Sequence, residues 1–114
     1  MPNPVVHFEI QTKNAEQIRQ FYSKLFGWKI DANNPMDYGM VDTGGQGING
    51  GIGGAQGPNM VTFYVQTDDP QASLDKATSL GATVMMPVSK VTDDTTIALF
   101  ADPDGNVVGL VKGM

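Results

Sequence analysis

The sequence of 114 residues predicts an α+β fold in which two βαβββ modules follow in tandem and form one curved eight-stranded sheet with the helices on its outer face. An internal repeat carries this prediction, because residues 5–12 align with residues 60–67 at an offset of 55. The identical pairs are Val6/Val61, Phe8/Phe63, Gln11/Gln66 and Thr12/Thr67. We therefore expect a single domain over residues 1–114, with its first module at about 4–54 and its second at about 59–113.

Each copy of the repeat begins with a strand whose apolar and polar side chains alternate. The face predicted to be buried carries Val6, Phe8, Ile10, Val61, Phe63 and Val65. The opposite face, predicted to line the concave side, carries His7, Glu9, Gln11, Thr62, Tyr64 and Gln66. Further strands are predicted at 28–32, 38–42, 48–52, 83–87, 95–101 and 106–111.

A helix is predicted after the first strand of each module. Asn14 is the expected N-cap of the first helix, with Gln17 completing an approximate capping box and Gly27 ending the helix. Asp69 and Pro70 are expected to begin the second helix. Apolar positions on the predicted inner sides of the helices are Ile18, Phe21, Tyr22, Leu25, Phe26, Leu74, Ala77 and Leu80, and Gly81 ends the second helix.

Composition and charge exclude several classes of function. The net charge is −5 and the seven basic residues are dispersed, whereas a nucleic-acid surface needs clustered cations. No apolar run is long enough to cross a membrane, and the first residues lack a secretory signal, so we expect a cytoplasmic protein. There is no cysteine, and His7 is the single histidine, so a thiolate site or a site with several imidazole ligands cannot form.

Glycine is concentrated in one part of the chain, since eight of the 14 glycines lie between Gly44 and Gly57. Residues 45–50 match G-x-G-x-x-G but do not open a predicted helix, so we reject a dinucleotide site. One interpretation is a glycine-rich strand whose missing side chains leave space for a ligand or another group. The other interpretation is a flexible turn. Asp102-Pro103-Asp104-Gly105 is interpreted as a turn.

Three segments together resemble the glyoxalase/bleomycin-resistance superfamily, also called vicinal oxygen chelate (VOC) proteins. HFEIQTKNAEQIRQFYSKLFGW at 7–28 resembles the opening of such a module, and FADPDGNVVGL at 100–110 resembles its end. DTGGQGINGGI at 42–52 resembles the glycine-rich strand of a bacterial subgroup related to lactoylglutathione lyase. The resemblance implies a ligand site on the concave strand faces and, since members commonly dimerise, a possible homodimer.

The resemblance also implies where a divalent metal would bind in metal-dependent members. A His or Gln on the first strand of each module and a Glu on the last strand of each module supply the ligands. His7 is the only matching position in this sequence, because the corresponding residues are Thr62, Gly109 and, in the first module, Gly51 or a neighbouring glycine. We therefore predict no metal ligand set, and no cofactor is expected.

The resulting functional expectation is a protein that binds a small, largely apolar molecule without the usual metal. The candidate ligand-binding residues are His7, Thr62, Tyr64, Gly51, Gly109 and Met40. The alternative is an enzyme, either a lyase or isomerase similar to lactoylglutathione lyase or an enzyme of the dioxygenase type. In this alternative His7 and Glu9 are the catalytic residues and a metal is held weakly. The sequence leaves open whether the protein is an enzyme. If these residues have only structural roles, His7 is a cavity-lining histidine hydrogen-bonded to a neighbour, and Glu9 is a solvated strand residue.

Overall fold

A computed structural model describes residues 3–113 and contains the predicted βαβββ order twice. The first module consists of β1 (Val5–Thr12), α1 (Ala15–Phe26), β2 (Lys29–Asp31), β3 (Gly39–Asp42) and β4 (Gly50–Gly54). The second consists of β5 (Met60–Gln66), α2 (Pro70–Ser79), β6 (Thr83–Lys90), β7 (Thr96–Ala101) and β8 (Val107–Lys112). The predicted α+β class with tandem βαβββ modules is confirmed. Two compact units are present, one at His7–Thr62 and the other from Phe63 onward together with residues 3–6.

Both modules use the same strand connections. In the first, the hydrogen-bonded order is β2-β3-β4-β1, with β1 and β4 parallel and β3 antiparallel to both of its neighbours. In the second, the order is β6-β7-β8-β5, with β5 and β8 parallel and β7 antiparallel to both neighbours. The first and last strands of each module therefore lie side by side.

The glycine-rich run divides between a loop and a strand. The strand predicted at 48–52 lies at Gly50–Gly54, because residues 43–49 are held in a loop by their own polar groups. The Thr43 hydroxyl donates to the Ile48 carbonyl at 3.1 Å, and the Gly44 N–H donates to Asp42 at 2.8 Å. The interpretation as a strand is therefore confirmed for Gly50–Gly54, whereas residues 43–49 form a hydrogen-bonded loop.

The two helices begin in different ways. Asp69 caps α2 as predicted, since its carboxylate accepts a hydrogen bond from the Ala72 N–H at 3.0 Å. Asn14 makes no side-chain cap to α1, so the predicted capping box is wrong. The Thr12 hydroxyl instead accepts the Asn14 N–H at 3.2 Å, which gives that donor a partner just before the helix. Gly27 follows α1 with φ +72°, the left-handed conformation predicted for its end.

The prediction of which face of β5 is buried is wrong for two residues. Val61 is 74% exposed and Phe63 is 41% exposed, whereas Thr62 and Tyr64 are buried. The physical reason at Phe63 is that α2 packs chiefly on β6, β7 and β8, so this helix leaves Phe63 partly uncovered. Leu80 is also exposed, because α2 ends at Ser79 and places it beyond the helix.

Each unit has its own apolar packing. In the second module, the buried side chains of Leu74, Ala98 and Leu110 form a core. In the first, Trp28 packs against Phe8, Tyr22 and Phe26, with ring centroids 5.1–5.5 Å apart. Within residues 3–113, neither helix has the length and apolar character needed to cross a membrane.

Candidate functional site

The strand register of the first module brings the predicted site residues onto one face. His7 and Glu9 are two residues apart on β1 and therefore point to the same side. Gly51 pairs with Glu9 on one side and with Met40 on the other. Because directly paired residues share a face of a sheet, His7, Glu9, Gly51 and Met40 belong to a single surface.

A tyrosine ring lies over the glycines of this surface. A Cβ atom added at Gly51 would collide with the ring and hydroxyl of Tyr38, and one added at Gly53 would lie 2.8 Å from the same ring. Any side chain at Gly51 would therefore have to displace Tyr38. The glycines of β4 provide the space that this ring occupies.

The backbone of Tyr38 is held by the loop that precedes β3. The Asn34 amide donates to the Tyr38 carbonyl at 2.6 Å, and the Tyr38 N–H donates to the Asn34 side-chain oxygen at 2.9 Å. Arg19 of α1 donates to the Asp37 carbonyl at 3.4 Å, and Asp37 adopts a left-handed φ of +51°. Aspartate tolerates this conformation better than most residues, and the turn directs the next residue toward β4.

Tyr38 joins His7 to Glu9 through hydrogen bonds. The Tyr38 hydroxyl donates to Glu9 Oε1 at 2.9 Å, while Gln11 Nε2 donates to Glu9 Oε2 at 2.9 Å. His7 Nε2 lies 3.0 Å from the Tyr38 oxygen. Because the phenolic proton is directed to Glu9, we assign the proton of this second bond to His7 Nε2. The resulting order of groups is imidazole, phenol, carboxylate and amide.

The electrostatics of this site favour a neutral imidazole. Burial lowers the pKa of His7 below its ordinary value of 6.5, and the negative charge of Glu9 opposes this shift in part. Near pH 7 His7 is therefore uncharged, with its Nε2 proton facing Tyr38. A proton accepted by His7 could be matched by transfer of the Nε2 proton to Tyr38 and of the phenolic proton to Glu9.

The second module repeats the combination of glycine and tyrosine with a different geometry. Tyr64 of β5 pairs directly with Gly109 of β8, and a Cβ atom at Gly109 would collide with the Tyr64 ring. Tyr64 is buried in this position. Both glycines that the resemblance aligns with metal-ligating carboxylates thus lie beneath tyrosine rings.

The structure refines the predicted site residue by residue. Residues His7, Glu9, Gly51 and Met40 meet in the first module, while Tyr64 and Gly109 meet in the second. Thr62 lies on β5 and is buried. Glu9 is also buried, so its interpretation as a solvated strand residue is wrong.

Sequence reasoning did not identify Tyr38 as the bridge between His7 and Glu9. It also missed Gln11 as a partner of the carboxylate and Asn34 as the residue that holds Tyr38. The one available signal was the position of Tyr38 at the start of a strand beside a glycine-rich strand.

Comparison with known proteins is consistent with this architecture. The family model described as the Glyoxalase/Bleomycin resistance protein/Dioxygenase superfamily matches residues 5–110. The chain belongs to this superfamily.

Two curated relatives are named "Putative glyoxylase CFP32", one from Mycobacterium tuberculosis and one from Mycobacterium bovis. Each is 31% identical to this chain over 112 residues. The match covers 90% of this chain and 42% of each relative, so the chain spans about two fifths of their length.

Solved structures of the superfamily share the fold at low sequence identity. Methylmalonyl-CoA epimerase from M. tuberculosis has a TM-score of 0.72 and 12% identity, with 96% of this chain and 87% of that chain covered. The Mn(II)-bound glyoxalase from Novosphingobium aromaticivorans has a TM-score of 0.64 and 16% identity, with 94% of this chain and 36% of that chain covered.

The residues at the superfamily's metal positions do not fit a divalent cation. Such an ion needs three or more protein ligands, commonly imidazole and carboxylates. Among residues 3–113, no group of three or more His, Asp or Glu side chains is arranged to hold a metal. Glycine at positions 51 and 109 has no side-chain donor, and a carboxylate there would need the space of Tyr38 or Tyr64.

Proposed function

We propose that this chain binds a small, largely apolar molecule on the face that carries His7, Tyr38 and Met40, without a divalent metal. The observation that carries the proposal is the Tyr38 ring over Gly51, with its hydroxyl bonded to both His7 and Glu9. These contacts use donor and acceptor atoms that a metal site would need. The same contacts leave an aromatic ring and a thioether beside a buried polar cluster.

The composition of this face defines the expected ligand. Met40 is exposed, and its flexible thioether can adapt to apolar groups of different shapes. Ligand sites combine apolar walls with a few polar groups that fix orientation. We therefore expect an aromatic or aliphatic molecule with one polar group that hydrogen-bonds to the His7–Tyr38 pair.

Metal content and ligand binding are measured on protein purified without a histidine tag. Elemental analysis is expected to find less than stoichiometric Zn, Ni, Fe and Mn. Screening an apolar compound library by native mass spectrometry and thermal shift is expected to find ligands whose binding weakens in Met40→Asp. Met85→Asp is the matched control, because Met40 is 52% exposed and Met85 is 55% exposed. A stoichiometric metal that is lost in His7→Ala would contradict the proposal, as would a screen in which no compound stabilises the protein.

A second candidate function is a glyoxalase-like lyase or isomerase that transfers protons through His7 and Glu9. The hydrogen-bonded order from His7 through Tyr38 to Glu9 favours this candidate, because neutral imidazole and carboxylate are the groups that general acid–base catalysis uses. The CFP32 relatives are named "Putative glyoxylase", which supports assaying this chain for glyoxalase activity. Activity that survives chelators but is lost in His7→Gln and Glu9→Gln would support the metal-free version. Activity abolished by chelators and restored by a divalent ion would support the version with a weakly held metal.

A further inference from the structure

The face that carries Met40 has a carboxylate at each end of one row of paired residues. Direct strand pairing forms this row across the first module, from Glu9 through Gly51 and Met40 to Asp31. Directly paired residues share a face of the sheet, and we call this set the Met40 row. Because neighbouring strands lie about 4.8 Å apart, roughly 14 Å separates the backbones at the two ends. The middle of the Met40 row is apolar and its ends are acidic.

The same face carries one lysine among its charged side chains on these strands. Lys29 lies two residues from Asp31 on β2, so both point to one side of the sheet. Lys29 pairs directly with Asp42 of β3, and opposite charges in this position offset one another. The charges at the two ends of the Met40 row therefore add to a pair that is already balanced.

The other basic side chains of the first module are associated with helix α1. Arg19 of α1 lies 3.6 Å from Asp37, and its Cδ is the nearest atom to a Cβ added at Gly39. Gly39 precedes Met40 on β3, so this contact places Arg19 on the opposite side of the sheet. Lys24 belongs to the last turn of the same helix, and Lys13 lines a cleft with residues at its start.

Tyr38 adds an aromatic ring to the Met40 row. Its side chain is half-buried, so a ligand can reach part of the ring. Its hydroxyl donates to Glu9, which raises the electron density of the ring, and the face of such a ring attracts a cation. Met40 is exposed beside it and offers a polarizable thioether to an alkyl or aryl group. A ring, a thioether and carboxylates in one place are the groups that recognise an ammonium ion with an apolar substituent.

We propose that the ligand of this face is an apolar amine in its protonated form, and that carboxylates and phosphates bind weakly. This inference rests on the proposed function, because it assigns a positive charge to the one polar group of that ligand. An ammonium group over the middle of the Met40 row lies roughly 7 Å from each end, within the Debye length of about 8 Å at physiological ionic strength. Both carboxylates therefore attract it while the apolar substituent contacts Met40.

NMR titration of the full chain with three compounds of one apolar group tests the charge of the ligand. Phenethylamine, phenethyl alcohol and hydrocinnamate carry an ammonium, a hydroxyl and a carboxylate group, respectively. The amine is expected to bind at least about tenfold more tightly than hydrocinnamate, with the alcohol between them. Equal or tighter binding of the alcohol or of hydrocinnamate would overturn the amine assignment and leave the proposed function intact. Binding of none of the three would also overturn the assignment, whereas the proposed function fails only if the library screen finds no ligand either.

Variants that remove one charge locate the attraction. Glu9→Gln keeps the size of the side chain and is expected to lower the ratio of amine to hydrocinnamate affinity by about threefold or more. Glu16→Gln is the matched control, because Glu16 is an exposed glutamate in the first turn of α1, and it should leave the ratio unchanged.

Asp31→Asn covers the case in which Glu9→Gln fails to fold. Asp31 is exposed, and an asparagine oxygen can still accept the hydrogen bond that the Asn33 N–H donates to it at 2.8 Å. This variant should also lower the affinity ratio. A ratio that stays unchanged in Asp31→Asn and in folded Glu9→Gln, or that falls equally in Glu16→Gln, would overturn the proposal.

Discussion

The contact between Gly51 and Tyr38 gives the sharpest prediction of this structure. In Gly51→Ala, the new methyl group would overlap the Tyr38 ring and hydroxyl, which are its three nearest atoms. The Asn34 side chain holds the Tyr38 backbone at both its N–H and its carbonyl group. Because the backbone is held, the Tyr38 ring must rotate away about its own side-chain bonds. Rotation breaks the hydrogen bonds of Tyr38 to Glu9 and His7.

The expected cost follows from those two hydrogen bonds. A bond to a charged acceptor such as Glu9 contributes about 1.5–3 kcal/mol, and a neutral bond such as that to His7 contributes about 0.5–1.5 kcal/mol. Gly51→Ala should therefore lower the free energy of unfolding by about 2–4.5 kcal/mol. For a domain of this size, at roughly 4 °C per kcal/mol, the melting temperature should fall by about 8–18 °C.

A double-mutant cycle with Tyr38→Ala isolates this mechanism. Once the ring is absent, an alanine at position 51 should be neutral or should stabilise by about 0.4–1 kcal/mol, because it reduces the freedom of the unfolded chain. Urea denaturation of the four proteins measures the coupling free energy. Gly47→Ala is the control, since a Cβ there would meet open space, and its effect should be within about 0.5 kcal/mol of zero.

The reasoning would be refuted by equal destabilisation from Gly51→Ala with and without the Tyr38 ring. That outcome would mean that the backbone of β4, and not the ring, requires glycine at this position.

Three further predictions follow from the same residues and from the helix caps. The single histidine can be followed by NMR: His7 should titrate below pH 6.5, and Glu9→Gln should lower its pKa further because a neighbouring negative charge is removed. As the pH falls below 6.5, His7 takes up a proton in the unfolded chain before it does so in the folded chain, so the free energy of unfolding should decrease in that range. His7→Gln should therefore reduce the slope of the free energy of unfolding against pH. An unchanged slope in this variant would mean that other groups cause the pH dependence. Asp69→Ala should cost about 1 kcal/mol, whereas Asn14→Ala should cost much less, since only Asp69 makes a side-chain cap.

The sequence predicts the modules well because strand alternation and an internal repeat are local signals. It places His7 and Glu9 on one face, and Asp69 at the start of a helix, without any knowledge of long-range contacts. It does not predict that Tyr38 joins His7 to Glu9. That contact depends on the register between β3 and β4, and a strand of sequence GGIGG offers little side-chain alternation to specify a register.

The error at Val61 and Phe63 has a related cause. Alternation identifies two faces of a strand, and hydrophobicity alone assigned the apolar one to the core. The buried face of β5 instead carries Thr62 and Tyr64, and the Tyr64 ring packs on Gly109. Which face is covered depends on where α2 lies, and the sequence of the strand itself does not encode that position.

Tyr38 and Tyr64 explain why glycine stands at positions 51 and 109. Gly51 and Gly109 occupy corresponding positions in the two modules, but the rings above them come from different places. Tyr38 precedes β3, whereas Tyr64 lies on β5 directly opposite its glycine. The repeat alone would not produce both arrangements, since Tyr64 aligns with Glu9 and not with Tyr38. A carboxylate introduced at position 51 or 109 would therefore not restore a metal ligand by itself, because in each module a tyrosine ring would first have to leave the space that glycine provides.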